Sequence, residues 1–323
     1  MGAEQAFLTE IGSAYLARAQ APHPRDLLRF KPSGLAWPFL RDMQGLVAGL
    51  QKRTVEVDGQ QMTWLEGGTP GATPVVLLHG FAASKENWLP LLPFLGGHRL
   101  LIPDLPGWGE SEFRYDKPYG IDHQVERLAH WLEQAAPAGA HLVGSSMGGA
   151  IAGFLAARHP QLAQSLTLMN AAGVRGSEAS EFERRLMEGE NLLVTHSMAD
   201  VFRLFTLVTE RNRHMLAATL TPVMGGQMLA RRHVNAHLFH QLIEHAPRED
   251  RPGIATVVAP TLVLWGDQDR VLHVSCAETF RSLIPHAQVT RLRGIGHLPM
   301  LEVPAVTARC LQRFWRAPVA AVA

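Results

Sequence analysis

The sequence predicts an α/β protein built on a mostly parallel, eight-stranded sheet flanked by helices, with a helical cap inserted after the sixth strand. Three observations carry this prediction. Short apolar runs alternate with helical patterns along most of the chain, the signature of βα units and a sheet covered on both faces. One run ends in Gly144-Ser145-Ser146-Met147-Gly148-Gly149, a glycine-rich strand-to-helix turn. The alternation then breaks once, between Ala172 and about Gly253, where no strand pattern appears.

Residues 1–50 read as a helical N-terminal arm. Phe7, Ile11 and Tyr15 recur at helical spacing, with Leu8 and Leu16 alongside. That pattern suits a helix packed on the domain or an amphipathic segment at a membrane interface. Residues 21–38 hold four prolines, which oppose regular structure. From Lys52 the pattern changes. Runs at 54–57 and 62–65 flank Asp58-Gly59, a strong hairpin signal. Buried strands follow at 75–78, 100–102, 142–143, 166–169, 262–265 and 289–292, with helices at 123–134 and 150–158. The domains expected are the core at 51–171 and 254–318, and the cap at 172–253. Within the cap, Pro222 and Gly225-Gly226 read as breakers.

Composition narrows the function. The 323 residues carry 30 Lys+Arg against 29 Asp+Glu. Near-zero net charge argues against nucleic acid or another polyanion as the main partner. Two cysteines, Cys276 and Cys310, both in helical stretches, suit a reducing compartment and a cytoplasmic location. Residues 1–20 show no apolar signal region, and no run is long enough to span a membrane. Peripheral membrane contact is left to the arm. The sequence does not specify an oligomeric state.

The chemistry gathers in four places. Gly144-Ser145-Ser146-Met147-Gly148 is a G-x-S-x-G turn between the strand His141-Leu142-Val143 and a helix. Such a turn lifts the Ser146 hydroxyl clear of the sheet as a nucleophile. Acyl transfer also needs backbone N–H donors for the developing oxyanion. Met147 can supply one, and Phe81, in His79-Gly80-Phe81 after the strand at 75–78, the other. An acid must then orient a histidine. Asp267 and Asp269 both follow the strand at 262–265, and spacing alone does not choose between them. His297, on the loop Gly294-Ile295-Gly296-His297, can reach the serine as general base. The pair His233 and His237 has chelating spacing. It lacks the adjacent glutamate of a zinc-protease motif and reads as a polar cap face, so neither a metal nor a cofactor is expected.

These motifs resemble the α/β-hydrolase superfamily from about Thr54 to Arg316. Within it, the chain is most similar to the monoacylglycerol-lipase-like branch and related bacterial lipases and esterases. The likeness lies in residues 79–88, Asp104-Leu105-Pro106-Gly107-Trp108-Gly109-Glu110-Ser111, residues 141–149, residues 265–272 and Gly296-His297. The resemblance implies Asp269 as the acid, a triad of Ser146, Asp269 and His297, and an acyl-enzyme route to ester hydrolysis. It implies a medium-chain acyl ester, such as a monoacylglycerol, as the small-molecule substrate. Trp88, Leu204, Phe205, Leu216 and Met224 are the candidate substrate-binding residues. Serine at 146 departs from the aspartate of epoxide hydrolases and haloalkane dehalogenases. Phe81-Ala82-Ala83 departs from the Gly-Pro-Gly turn usual in carbon–carbon-bond hydrolases. Such a hydrolase, a perhydrolase, or a non-catalytic ligand-binding relative are the alternatives.

Overall fold

The computed structural model describes residues 14–18, 22–28, 49–245 and 253–316. Eight strands form one sheet in the order β1-β2-β4-β3-β5-β6-β7-β8. They are β1 (Gln51–Val57), β2 (Gln60–Gly68), β3 (Pro74–Leu78), β4 (Arg99–Pro103), β5 (Ala140–Ser145), β6 (Ala163–Met169), β7 (Thr261–Gly266) and β8 (Gln288–Leu292). β1 and β2 are antiparallel, as are β2 and β4. All remaining pairs are parallel. The β1–β2 hairpin turns at Asp58 and Gly59, both with positive φ, as the Asp-Gly dipeptide requires.

Side chains alternate between the two faces of the sheet. Val76, Leu78, Leu142, Val263 and Trp265 join one hydrophobic cluster. Val75, Leu77, Val143, Leu262 and Leu264 join the other. Period-2 alternation within continuously apolar strands is what a sheet buried on both sides demands. Helices α1 (Pro24–Leu28), α2 (Ile121–Ala135) and α3 (Met147–Arg158) precede the cap segment.

Four helices follow β6: α4 (Glu181–Met187), α5 (Met198–Val208), α6 (Arg213–Ala230) and α7 (Arg232–Glu244). Two start at legible caps. Ser180 and Glu183 form a reciprocal capping box on α4, and the Ser197 side chain accepts from Asp200 N on α5. The expected breakers do not break: Pro222 and Gly225-Gly226 lie inside one continuous helix, and the chain divides at Arg231. Packing explains the glycine, because a Cβ on Gly225 would meet Met198 Sδ at 2.6 Å. Close contact between α5 and α6 overrides local propensity. The chain closes with α8 (Cys276–Leu283), α9 (Pro299–Glu302) and α10 (Pro304–Arg316).

In the N-terminal region, Tyr15 is buried edge-on against Phe239 of α7, with ring centroids 5.2 Å apart. Phe7 and Ile11 lie outside the described residues. Among the described residues, no helix is long and apolar enough to cross a membrane.

The end of α10 rests on a histidine pair. Trp315 stacks on His141 at 5.2 Å, and His98 meets both rings edge-on. Burial, aided by His98, pushes the His141 imidazole from its ordinary 6.5 down to about 4. Between those values the unfolded chain binds a proton that the folded chain refuses. Stability is therefore expected to fall as pH drops across that window, on the order of 1–2 kcal/mol after allowing for the partly exposed ring. Thermal unfolding at pH 7 and pH 5 checks this: His141→Gln should show a smaller drop in Tm than the parent chain.

Candidate active site

β5 ends at Ser145, and α3 begins at Met147. Ser146 between them has φ 56° and ψ −122°, a strained backbone for a residue with a side chain. Its neighbours leave no alternative. A Cβ on Gly144 would sit 2.2 Å from Gly148 O, and one on Gly148 would sit 2.4 Å from Leu78 O. Only glycine lets β5, the turn and the start of α3 approach this closely. Met147 N belongs to the first turn of α3, where N–H groups have no intrahelical partner and favour negative charge.

The turn after β3 lies against this elbow. A Cβ on Gly80 would be 3.0 Å from Ser146 Cβ. Fully buried His79 fixes the turn: Nδ1 donates to Gly80 O at 2.8 Å, and Nε2 accepts from Leu105 N at 3.0 Å. Burial lowers its pKa, so it serves as a neutral spacer. Beneath the turn sits a buried ionic cluster. Lys85 Nζ reaches Asp104 at 2.5 Å, Glu110 at 2.8 Å and Glu86 at 3.1 Å. Burial alone would lower the Lys85 pKa, but the three carboxylates raise it. The Asp104 carboxylate also accepts from Lys85 N and Glu110 N. This brings together the two loops that the sequence motifs mark.

The cluster admits no side chain at Gly109, whose φ is +56° and whose added Cβ would lie 2.1 Å from Asp104 Cγ. Gly109→Ala is expected to cost at least about 2 kcal/mol of stability. Denaturant unfolding checks it: an unchanged midpoint would contradict this packing.

The two aspartates after β7 separate. Asp267 Oδ1 accepts from Gly294 N at 2.7 Å and stays at the turn. Asp269 is 4% exposed and lies 2.7 Å from His297 Nδ1 through Oδ2. Its Oδ1 accepts from Val271 N and Leu272 N, and Oδ2 also accepts from Asn170 Nδ2 at 2.7 Å. Asn170 Oδ1 accepts from Gly266 N. Asn170, at the end of β6, thus sets the orientation of the carboxylate. Its signal in sequence was only its position after a strand.

Glu302 also escaped sequence reading. Its carboxylate accepts from Gly296 N at 3.0 Å, Glu210 N at 2.9 Å and Arg211 N at 2.7 Å. Burial raises its pKa, against those backbone donors. His297 N donates to Val208 O at 3.0 Å. Arg270 reaches Thr206 O and Thr209 O, both at 2.7 Å, and pairs with Glu210 at 3.0 Å. The loops carrying Asp269 and His297 are therefore tied to the C-terminal end of α5.

Ser146, Phe81 and His297 line one cavity of about 80 Å³, with Leu204, Phe205 and Met224 of the cap. Leu193, Val208, Met228 and Leu298 add apolar wall. Two expected substrate-binding residues lie elsewhere. Trp88 is fully buried in the opposite-face cluster with Val75 and Leu77, because the short 3₁₀ turn Lys85–Trp88 directs it into the core. Leu216 is half-buried on α6 and is not among the cavity-lining residues. Among the described residues, no three His, Cys, Asp or Glu side chains are grouped to hold a metal.

Ser146 at a strand-to-helix elbow thus shares a cavity with His297, whose Nδ1 is held by a buried carboxylate on the same α/β sheet. Residues 73–304 match the family described as the alpha/beta hydrolase fold, and the chain belongs to that family. It is 31% identical to Lipase 1 of Psychrobacter immobilis over 252 residues, 77% of this chain and 79% of the relative. It is also 31% identical to a monoacylglycerol lipase of Xenopus laevis over 309 residues, covering 89% and 90% of the two chains. The crystal structure of a membrane phospholipase A superposes with a TM-score of 0.79 at 35% identity, covering 90% of this chain and 93% of that one.

Proposed function

We propose that the chain is a serine carboxylic-ester hydrolase acting on medium-chain acyl esters, monoacylglycerols among them. The observation that carries this is the geometry around one cavity. Ser146, on a strained elbow, shares the cavity with His297, whose Nδ1 lies 2.7 Å from a buried Asp269. The relatives are lipases, which supports an ester substrate.

In this mechanism, His297 Nε2 takes the proton of Ser146 Oγ as that oxygen attacks the ester carbonyl. Asp269 holds the Nδ1–H tautomer and stabilises the imidazolium. Backbone N–H groups of Phe81 and Met147 receive the oxyanion. The tetrahedral intermediate collapses, His297 protonates the departing alkoxide, and the acyl group remains on Ser146. A water, deprotonated by His297, attacks the acyl-enzyme, and His297 passes that proton to Ser146 Oγ as the acid leaves. The apolar wall of Leu193, Leu204, Phe205, Val208 and Met224 suits an acyl chain.

The test is a p-nitrophenyl ester series from short to long chains. The reading expects kcat/KM to peak at medium length. A monotonic fall from acetate onward would contradict the acyl assignment.

A further inference from the structure

We propose that Tyr15 and Phe239 are positioning residues for the oxyanion-binding turn, so that the N-terminal region acts on catalysis through the cap. The inference rests on the ester-hydrolase reading, in which Phe81 N–H receives the oxyanion. It adds two residues that lie outside the catalytic cavity.

Aromatic rings run in file from the N-terminal region to the core. Tyr15 meets Phe239 of α7 at 5.2 Å, and Phe239 meets Phe81 at 5.3 Å. Phe81 in turn meets Trp108 at 5.8 Å. All three contacts are edge-on, with ring planes at 82°, 81° and 76°. Ring quadrupoles favour that arrangement and resist sliding out of it. Phe81 is thus gripped by one ring from the core and one from the cap. The core ring is fixed, since Trp108 is fully buried and also meets His79 edge-on. The cap ring stands where α7 and Tyr15 put it.

Tyr15 is itself tied down. It is buried, and its carbonyl accepts from Arg18 N at 2.9 Å, so ring and anchor belong to one turn. The Arg18 guanidinium donates to Met187 O at the end of α4. Its stem lies on Gly189, where an added Cβ would come within 3.1 Å of Arg18 Cδ. The segment therefore clasps the cap at α4 and presses a ring on α7.

The turn needs such support. Ala82, next to Phe81, has φ +54°, a region that a side chain opposes, so its surroundings must hold it there. The Ala83 N to Gly80 O bond across the turn is long, at 3.4 Å. An oxyanion donor works only when aimed at the place where charge develops. A donor that drifts therefore costs transition-state binding and leaves substrate binding nearly as it was. Neither Tyr15 nor Phe239 lines the cavity, so replacing either removes no substrate contact.

The experiment measures p-nitrophenyl decanoate kinetics per fluorophosphonate-titrated site, together with inhibition by decylboronic acid, whose serine adduct places an oxygen at the oxyanion position. Tyr15→Leu and Phe239→Leu should each lower kcat about tenfold, less than outright loss of an oxyanion donor. KM should stay within about twofold, and the boronate Ki should rise by the factor that kcat loses. Tyr15→Phe should match the parent chain, because the ring makes the contact. Thermal unfolding identifies folded variants, and should one leucine variant fail to fold, the other reads the same split. Parent kcat and Ki in a folded leucine variant overturn the proposal. So does a rise in KM with kcat unchanged, the mark of a loosened cap, or a Tyr15→Phe as impaired as Tyr15→Leu. A parent chain that hydrolyses no ester sinks the ester-hydrolase reading itself, whereas full activity in the leucine variants of an active parent sinks this inference alone.

Discussion

Ser146→Ala is expected to lower kcat for ester hydrolysis by on the order of 10⁵–10⁶-fold and to leave the fold intact. Loss of the hydroxyl removes the group proposed to form the acyl-enzyme, and His297 alone cannot replace it. The backbone strain at φ 56° remains with alanine, so Tm should change little. Kinetics on a p-nitrophenyl ester, with far-ultraviolet circular dichroism alongside, measures both. Turnover near that of the parent chain would remove Ser146 from the mechanism.

Asp269→Asn is expected to cut kcat by about 10⁴-fold, and Asp267→Asn by no more than a few-fold. The contrast follows from their hydrogen bonds. Asp269 Oδ2 takes both Asn170 Nδ2 and His297 Nδ1, while Oδ1 takes two backbone N–H groups. An asparagine amide placed at Oδ2 would confront the Asn170 amide and force His297 into the wrong tautomer. Placed at Oδ1, it would confront the N–H groups of Val271 and Leu272. Neither orientation is satisfied. At 267 an asparagine still offers Oδ1 to Gly294 N, so the cost there should be about 1 kcal/mol or less. Side-by-side kinetics and melting of the two variants decide. A catalytic collapse in Asp267→Asn alone would reverse the assignment.

Much of the fold was legible because it rests on local signals. Strands buried on both faces read as continuous apolar runs, and Asp58-Gly59 announced its hairpin. The elbow was legible for a steric reason, since a nucleophile turn tolerates only glycine at 144 and 148. What escaped depends on contacts distant in sequence. Pro222 and Gly225 look like helix breakers until α5 packs against α6. Trp88 lies within a marked motif, yet the 3₁₀ turn sends its ring to the far face of the sheet. Asn170 and Glu302 carry no motif at all. Their roles come from partners 99 and 92 residues away, at Asp269 and Glu210. The choice between Asp267 and Asp269 was likewise closed to spacing, and came from family likeness. In the structure it turns on which carboxylate meets His297.

The central claim is that Ser146 is the nucleophile of an acyl-transfer site. The most direct test is to treat the chain with a fluorophosphonate and map the adduct by peptide mass spectrometry while following ester hydrolysis. One equivalent of label is expected, on Ser146, with activity lost in step and labelling abolished in His297→Ala. An enzyme that hydrolyses esters while remaining unlabelled, or that carries the label at another residue, would contradict it.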